Sequence, residues 1–230
     1  MLSALSLLCH RKSGTMTSRT AMNHQMFGRL VAKQTFMTNY SSKKSDRDRF
    51  RIIAGEWRGR KLSFPGDIPS LRPTTDRIRE TLFNWLQLDI AGASCLDLFS
   101  GSGALAFEAC SRGADTVTAI DSSTKVTDML MANCKVLECS NMHVITADGM
   151  QWLQAQKEPA PFDIIFLDPP YALGLLPECL SMITNKGLLK SRGLIYLESD
   201  VSLDSIDIPK ELSLLKSGKA GQVFYGVCGS

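Results

Sequence analysis

One decapeptide carries the most specific chemistry in this chain: Phe162-Asp-Ile-Ile-Phe-Leu-Asp168-Pro169-Pro170-Tyr171. An apolar strand runs straight into Asp-Pro-Pro-Tyr. The two prolines fix the backbone and remove two N–H donors. Acceptors remain, the local carbonyls and the Asp168 carboxylate. They sit at the C-terminal end of a strand, where open α/β sheets bind ligands. Acceptors without a strong base suit the exocyclic amine of a nucleobase, whose lone pair is delocalised into the ring. Accepting its two hydrogens at Asp168 and a proline carbonyl draws the nitrogen toward tetrahedral geometry and frees the lone pair for in-line attack on a methyl group. Such catalysis is positioning plus electrostatics. Tyr171 can stack on the base, worth roughly 1–3 kcal/mol. Asp168, Pro169, Pro170 and Tyr171 are the candidate catalytic residues. The plain alternative is a turn with an aromatic lid.

A second constellation precedes it. Asp97-Leu-Phe99-Ser100-Gly101-Ser-Gly103-Ala-Leu-Ala106 links a strand to a helix. Glycines let the chain turn sharply and let a ligand approach the backbone. Gly101-x-Gly103-x-x-Ala106 matches the dinucleotide fingerprint, and Asp121 stands where a ribose-binding acid is expected. Asp97 argues for S-adenosylmethionine instead. A carboxylate inside the bend repels a pyrophosphate, whereas it helps hold an ammonium group. A bare structural turn is the third reading. Asp148, in Thr-Ala-Asp-Gly after the third strand, is placed to accept adenine amino hydrogens. The candidate cofactor-binding residues are Asp97, Phe99, Ser100, Gly101, Gly103, Asp121 and Asp148.

The elements that must position these groups follow a regular alternation. Strand-like runs at Cys95–Phe99, Thr116–Ile120, Val144–Thr146, Asp163–Leu167 and Leu194–Glu198 alternate with helix-like segments at Gly103–Arg112, Ser123–Leu137, Gly149–Gln156 and Leu175–Asn185. That pattern predicts an α/β fold, a parallel sheet with helices on both faces. Leu212–Lys216 and Gln222–Cys228 predict an antiparallel hairpin at its end. Upstream, Arg51–Trp57 and Lys61–Phe64 read as a small hairpin, and Pro73 sets up a helix from Thr74 to Leu88. Ile78, Leu82 and Trp85 form its apolar face.

Four separated segments agree in order with one family. Arg51-Ile-Ile-Ala-Gly-Glu-Trp-Arg-Gly-Arg-Lys-Leu, Leu71-Arg-Pro-Thr-Thr-Asp-Arg-Ile-Arg-Glu-Thr-Leu-Phe-Asn-Trp-Leu86, Cys95-Leu-Asp-Leu-Phe-Ser-Gly-Ser-Gly-Ala-Leu-Ala-Phe-Glu-Ala and Lys219-Ala-Gly-Gln-Val resemble the RsmD-type bacterial small-subunit rRNA guanine-N2 methyltransferases. These belong to the class I adenosylmethionine-dependent, Rossmann-like amino-methyltransferases. The resemblance spans about Arg51 to Cys228. It implies a mostly parallel seven-stranded sheet, S-adenosyl-L-methionine as methyl donor, and one specific guanine of 16S rRNA as substrate. Ser100 stands where the family more often has Ala.

The resemblance gives the charge pattern a purpose. The chain has 230 residues and a formal charge of +3, with seven Lys/Arg and no acid in residues 1–45. The rest is net negative, so a nucleic acid must be met by a local patch. Between Asp46 and Glu80 stand nine basic residues against six acids. Arg58, Arg60, Arg72, Arg77 and Arg79 are the candidate RNA-binding residues, since the guanidinium fork suits phosphate. A solvated surface with ordinary ion pairs is the alternative. Three segments result: a disordered tail 1–45, a hairpin and helix for RNA docking at 46–90, and a methyltransferase domain at 91–230.

The tail is Ser-rich, basic and acid-free, as a mitochondrial or plastid transit peptide would be, or as a mis-assigned start preceding Met16, Met22, Met26 or Met37. The expected compartment is the bacterial cytoplasm, an organelle if the tail is a transit peptide. Seven scattered cysteines argue against a disulfide framework, and three histidines against structural zinc. Cys95, Cys110 and Cys179 read as small core residues. No apolar run is long enough to span a membrane, and a monomer without metal is expected. Rival readings are a DNA adenine-N6 methyltransferase, which usually carries a large recognition insert, a protein-glutamine methyltransferase, which favours Asn at Asp168, and a non-catalytic adenosylmethionine-binding assembly factor.

Overall fold

Phe50 and Leu62 face each other across a two-stranded antiparallel hairpin, β1 (Arg49–Arg51) and β2 (Lys61–Ser63). Both are buried. The computed structural model describes residues 48–68, 71, 73–157 and 160–229; the tail 1–45 and Arg72 lie outside them. The hairpin is shorter than its sequence suggests, because the apolar run Ile52–Trp57 pairs with a helix instead of a strand. The Ile53 and Ala54 N–H groups donate to the Glu108 carboxylate at 2.8 and 3.0 Å, and the Trp57 N–H donates to Ser111 Oγ at 3.0 Å. The contact is close enough that a Cβ at Gly55 would sit 1.8 Å from the Ser111 carbonyl oxygen.

α1 (Asp76–Trp85) begins where Thr75 accepts the Ile78 N–H, two residues later than Pro73 suggested. Asp76 in its first turn complements the positive helix end. Ile78, Leu82 and Phe83 are fully buried. Each contributes roughly 1.5–3 kcal/mol relative to exposure. Trp85 is only half-buried and stacks on Tyr225, ring centroids 5.6 Å apart. The hairpin, α1 and the near face of the sheet share one apolar cluster, in which Phe50, Trp57 and Leu82 join Cys95 and Phe107.

Seven strands form the sheet: β3 (Ser94–Asp97), β4 (Thr116–Asp121), β5 (Met142–Thr146), β6 (Phe162–Leu167), β7 (Leu189–Ser199), β8 (Ser213–Ala220) and β9 (Val223–Gly229). Their order is β5-β4-β3-β6-β7-β9-β8. β3 to β7 run parallel, because α2 (Ala104–Ser111), α3 (Thr124–Leu137), α4 (Gly149–Ala155) and α5 (Leu176–Asn185) return the chain between them. β9 is antiparallel to both β7 and β8, the expected closing hairpin. Alternation places Cys95 in the cluster under α1–α3 and Leu96 in the one under α4 and α5. Cys95, Cys110 and Cys179 are buried, as their apolar context predicts. From β3 the strand order runs outward to β4 and β5 on one side and to β6 and β7 on the other. The crevice at the ends of β3 and β6 is therefore the topological switch point.

Candidate active site at the switch point

Every acid singled out as a site residue, Asp97, Asp121, Asp148 and Asp168, stands at or just beyond a strand's C-terminal end. Asp97 closes β3 and is 2% exposed. Burial, then the charge of Asp121, pushes its carboxyl up to about 7, against the N–H groups of Ala106 and Phe99. Asp121 closes β4 and accepts the Gly101 N–H at 3.0 Å and the Ser123 N–H at 2.8 Å. Its carboxyl is also raised by burial. Gly103 is left-handed (φ 78°) and starts α2, and a Cβ there would lie 2.4 Å from Leu130 Cδ2. Only glycine makes this bend. Ser100 is buried, and its hydroxyl donates to the Asp97 carbonyl at 3.0 Å, so its hydrogen shapes the bend. Phe99 is half-buried at the same loop, against Gly149.

Asp148 is exposed and caps α4, accepting the Gln151 N–H at 2.9 Å. One of its oxygens is therefore committed to the helix. Asp168 follows β6 directly and is half-buried. Its carboxyl is raised well above the carboxylate range by burial, then by Glu198 and Asp97, while the Thr74 hydroxyl opposes the shift. Pro169 is buried and Pro170 exposed. The Pro170 carbonyl accepts the Leu173 N–H at 3.0 Å, closing a short 3-10 turn at Tyr171–Leu173. That leaves the Pro169 carbonyl as the candidate partner of Asp168. The half-buried Tyr171 donates its hydroxyl to Glu198 Oε1 at 2.9 Å.

Glu198 and Thr74 are the residues that sequence reasoning missed. Glu198 stands inside β7, 5% exposed, and also accepts the Tyr196 hydroxyl at 2.7 Å. Thr74, buried just before α1, places its hydroxyl beside Asp168 and Glu198, where it favours the charged form of each. A carboxylate closing an apolar strand was the available signal for the first. For the second there was none, because Thr-Thr-Asp before a helix reads as capping.

Four carboxylates thus crowd one crevice, and no Lys or Arg pairs with Asp97, Asp121, Asp168 or Glu198 among the described residues. This rim fits a cationic, hydroxyl-rich ligand such as adenosylmethionine and disfavours a pyrophosphate. Gly101 and Gly103 supply the close backbone approach such a ligand needs. Leu71 reaches the same loop, 3.0 Å from where a Gly101 Cβ would stand.

The arginines divide. Arg58, Arg60 and Arg77 are exposed, with Arg60 also donating to the Val136 carbonyl at 3.1 Å. Arg79 corrects the sequence expectation. It is 0% exposed, bonded to Asp76 at 2.6 Å and to the Arg51 carbonyl at 2.8 Å, with Glu108 at 3.6 Å. A guanidinium held this way under Phe50 is structural and cannot meet a phosphate. Beside Thr74 opens a cavity of about 290 Å³ lined by Arg49, Arg51 and Lys61 together with Thr75 and Asp76.

Comparison with known proteins supplies independent findings. The family model described as conserved hypothetical protein 95 matches residues 50–228. The ribosomal RNA small subunit methyltransferase D of Escherichia coli (strain K12) is 47% identical over 175 residues, covering 76% of this chain and 87% of that protein. The methyltransferase D of Haemophilus influenzae is 41% identical over 177 residues, covering 76% and 91%. The solved structure of yhhF from Escherichia coli superposes with a TM-score of 0.71 at 45% identity, covering 79% of this chain and 97% of that one.

Proposed function

The chain belongs to the conserved hypothetical protein 95 family, the RsmD family, and from that premise we propose that it transfers a methyl group from S-adenosylmethionine to the exocyclic N2 amine of one guanine in small-subunit rRNA. The observation that carries this reading is the adjacency of two sites. Asp97, the glycine-loop acid, pairs across the parallel strands with Phe166, two residues before the acceptor Asp168, so both acids stand at the same end of adjacent strands.

When bound, adenosylmethionine supplies an electrophilic sulfonium methyl. Asp97 would hold its ammonium, Asp121 its ribose hydroxyls and Asp148 its adenine amine, with Phe99, Ser100, Gly101 and Gly103 shaping the cradle. Asp168 and the Pro169 carbonyl accept the two amine hydrogens of the guanine, and Tyr171 covers the base. The freed lone pair would then take the methyl group, the carbon–sulfur bond breaking with its electron pair left on sulfur so that S-adenosylhomocysteine departs. The extra proton left on nitrogen passes to Asp168, whose raised carboxyl suits that task. RNA docking falls to Arg58, Arg60 and Arg77, with the basic cavity of Arg49, Arg51 and Lys61 leading toward Thr74.

The test is direct. Small ribosomal subunits and naked small-subunit RNA are incubated with the protein and labelled adenosylmethionine, then digested to nucleosides. N2-methylguanosine is the expected product. N6-methyladenosine, or labelled protein, overturns the reading, and absence of any label despite measured cofactor binding favours an assembly factor.

A further inference from the structure

Glu198 is buried with no cation to pair it among the described residues. A lone buried carboxylate is destabilising by several kcal/mol. Two tyrosine hydroxyls offset part of this. Tyr171 donates to one oxygen at 2.9 Å and Tyr196 to the other at 2.7 Å, while the Thr74 hydroxyl lies beside both Glu198 and Asp168. Both tyrosine hydrogens are directed at the Glu198 carboxylate. Each Glu198 oxygen has two lone pairs, so a tyrosine at each leaves further acceptor capacity. With Asp168 beside it, this corner of the crevice offers acceptors.

We propose that Glu198 is a specificity-determining residue: with Asp168, whose own turn reaches it through the Tyr171 hydroxyl, it lines the acceptor pocket with carboxylates and so selects a base whose ring nitrogen beside the amine carries a hydrogen. This rests on the function proposed above and explains its choice of base. Among the amino bases only guanine qualifies, since N1–H adjoins the N2 amine. Adenine and cytosine place a bare ring lone pair there, which a carboxylate repels. Asp168 takes the amine and Glu198 takes N1–H. A site built to hydrogen-bond such a group rejects analogues lacking it far better than one relying on shape.

2-Aminopurine is the probe, because it keeps the N2 amine and lacks the N1 hydrogen. Wild-type protein first maps the methylated guanine on small-subunit RNA by mass spectrometry. Ligated RNA then carries guanine or 2-aminopurine at that position, and kcat/KM is measured for each. Glu198→Gln is expected to lower kcat/KM on guanine roughly ten- to a hundredfold. It should raise that on 2-aminopurine, because a glutamine amide can donate to the bare nitrogen. Glu198→Asp keeps an acceptor and should keep the preference at reduced rate. Tyr171→Phe should slow both bases alike. Equal losses on both bases in Glu198→Gln, with cofactor affinity intact, would overturn the proposal and make Glu198 a prop for Tyr171. Should that variant fail to fold, loss of preference in Glu198→Asp overturns it equally. A wild-type protein that forms no N2-methylguanosine removes the proposed function itself, and this inference with it.

Discussion

The Asp121 carboxylate accepts the Gly101 N–H at 3.0 Å and the Ser123 N–H at 2.8 Å, so one side chain ties the tip of β4 to the bend after β3 and to the start of α3. Asp121→Ala removes both ties and a ribose acceptor. Loss of charged hydrogen bonds of this kind is worth roughly 1.5–3 kcal/mol each. The adenosylmethionine dissociation constant should rise at least tenfold by calorimetry. An unchanged constant takes Asp121 out of the site.

Asp168 should separate chemistry from binding. Asp168→Ala is expected to lower turnover by about a hundred- to a thousandfold, the range for losing one preorganised polar group, while cofactor affinity hardly moves. The pH profile gives a second readout. Glu198 from β7, Asp97 from β3, Thr74 before α1 and Tyr171 all face this carboxyl, and burial, then the two acids, hold it well above the carboxylate range. Only the ionised form accepts the amine hydrogens, so turnover should fall as pH drops through the raised value. Glu198→Gln removes the stronger of the two repulsions and should move that limb part of the way to lower pH. An acid limb in the ordinary carboxylate range, unmoved by Glu198→Gln, contradicts the assignment.

What the sequence disclosed was local. Strand-to-turn punctuation located Asp97, Asp121, Asp148 and Asp168, because each follows a short apolar run in a parallel sheet. Contacts distant in sequence stayed hidden. Ile52–Trp57 has strand-like composition, but Glu108 and Ser111 of α2 capture its N–H groups. Arg79 counts as surface charge in any composition reading, yet Glu108, 29 positions later, draws it inside. Glu198 is reached by Tyr171 from another strand's loop. Charge patterns show what a residue carries, and only packing shows whether water reaches it.

The buried Arg79 leads to a stability prediction. Arg79→Met strips Glu108 of one buried partner while Arg112 keeps the other, at 2.8 Å. Removing one member of a buried pair is destabilising by about 3–5 kcal/mol. Urea unfolding should show that loss, moderated by Arg112. The salt dependence of RNA binding by the folded fraction should stay as in wild type. A change in that slope without a loss of stability returns Arg79 to the RNA surface.

Exposed arginines should behave oppositely. Replacing Arg58, Arg60 and Arg77 by Ala should flatten the salt dependence of RNA affinity by about one unit of slope for each phosphate no longer engaged. Stability should change little, since exposed positions away from special features usually shift it by about 0.5 kcal/mol or less. RNA affinity measured at several salt concentrations decides. An unaltered slope in folded protein moves phosphate recognition to the cavity of Arg49, Arg51 and Lys61, or to the β8–β9 hairpin with Lys216 and Lys219.

Asp97 should make the ligand-free protein sensitive to pH in an unusual direction. Its carboxyl is pushed up to about 7, above the ordinary 3.8, first by burial and then by Asp121. A group raised on folding holds its proton more tightly when folded. Its contribution is complete below the unfolded value and is lost as pH rises through the folded one. Wild-type protein without cofactor should therefore lose stability between about pH 4 and pH 7, by roughly 2–4 kcal/mol from this group. Asp97→Asn cannot ionise and should lose less over the same interval, though Asp168 and Glu198, also raised, keep part of the slope. Adenosylmethionine should reverse the trend in wild type, because its ammonium compensates the ionised acid, and stabilise the protein more at pH 8 than at pH 5. In Asp97→Asn that gain should nearly vanish. Urea midpoints of both proteins at the two pH values, with and without cofactor, provide the comparison. Identical pH slopes for the two proteins, together with equal stabilisation by cofactor, would remove Asp97 from the ammonium site.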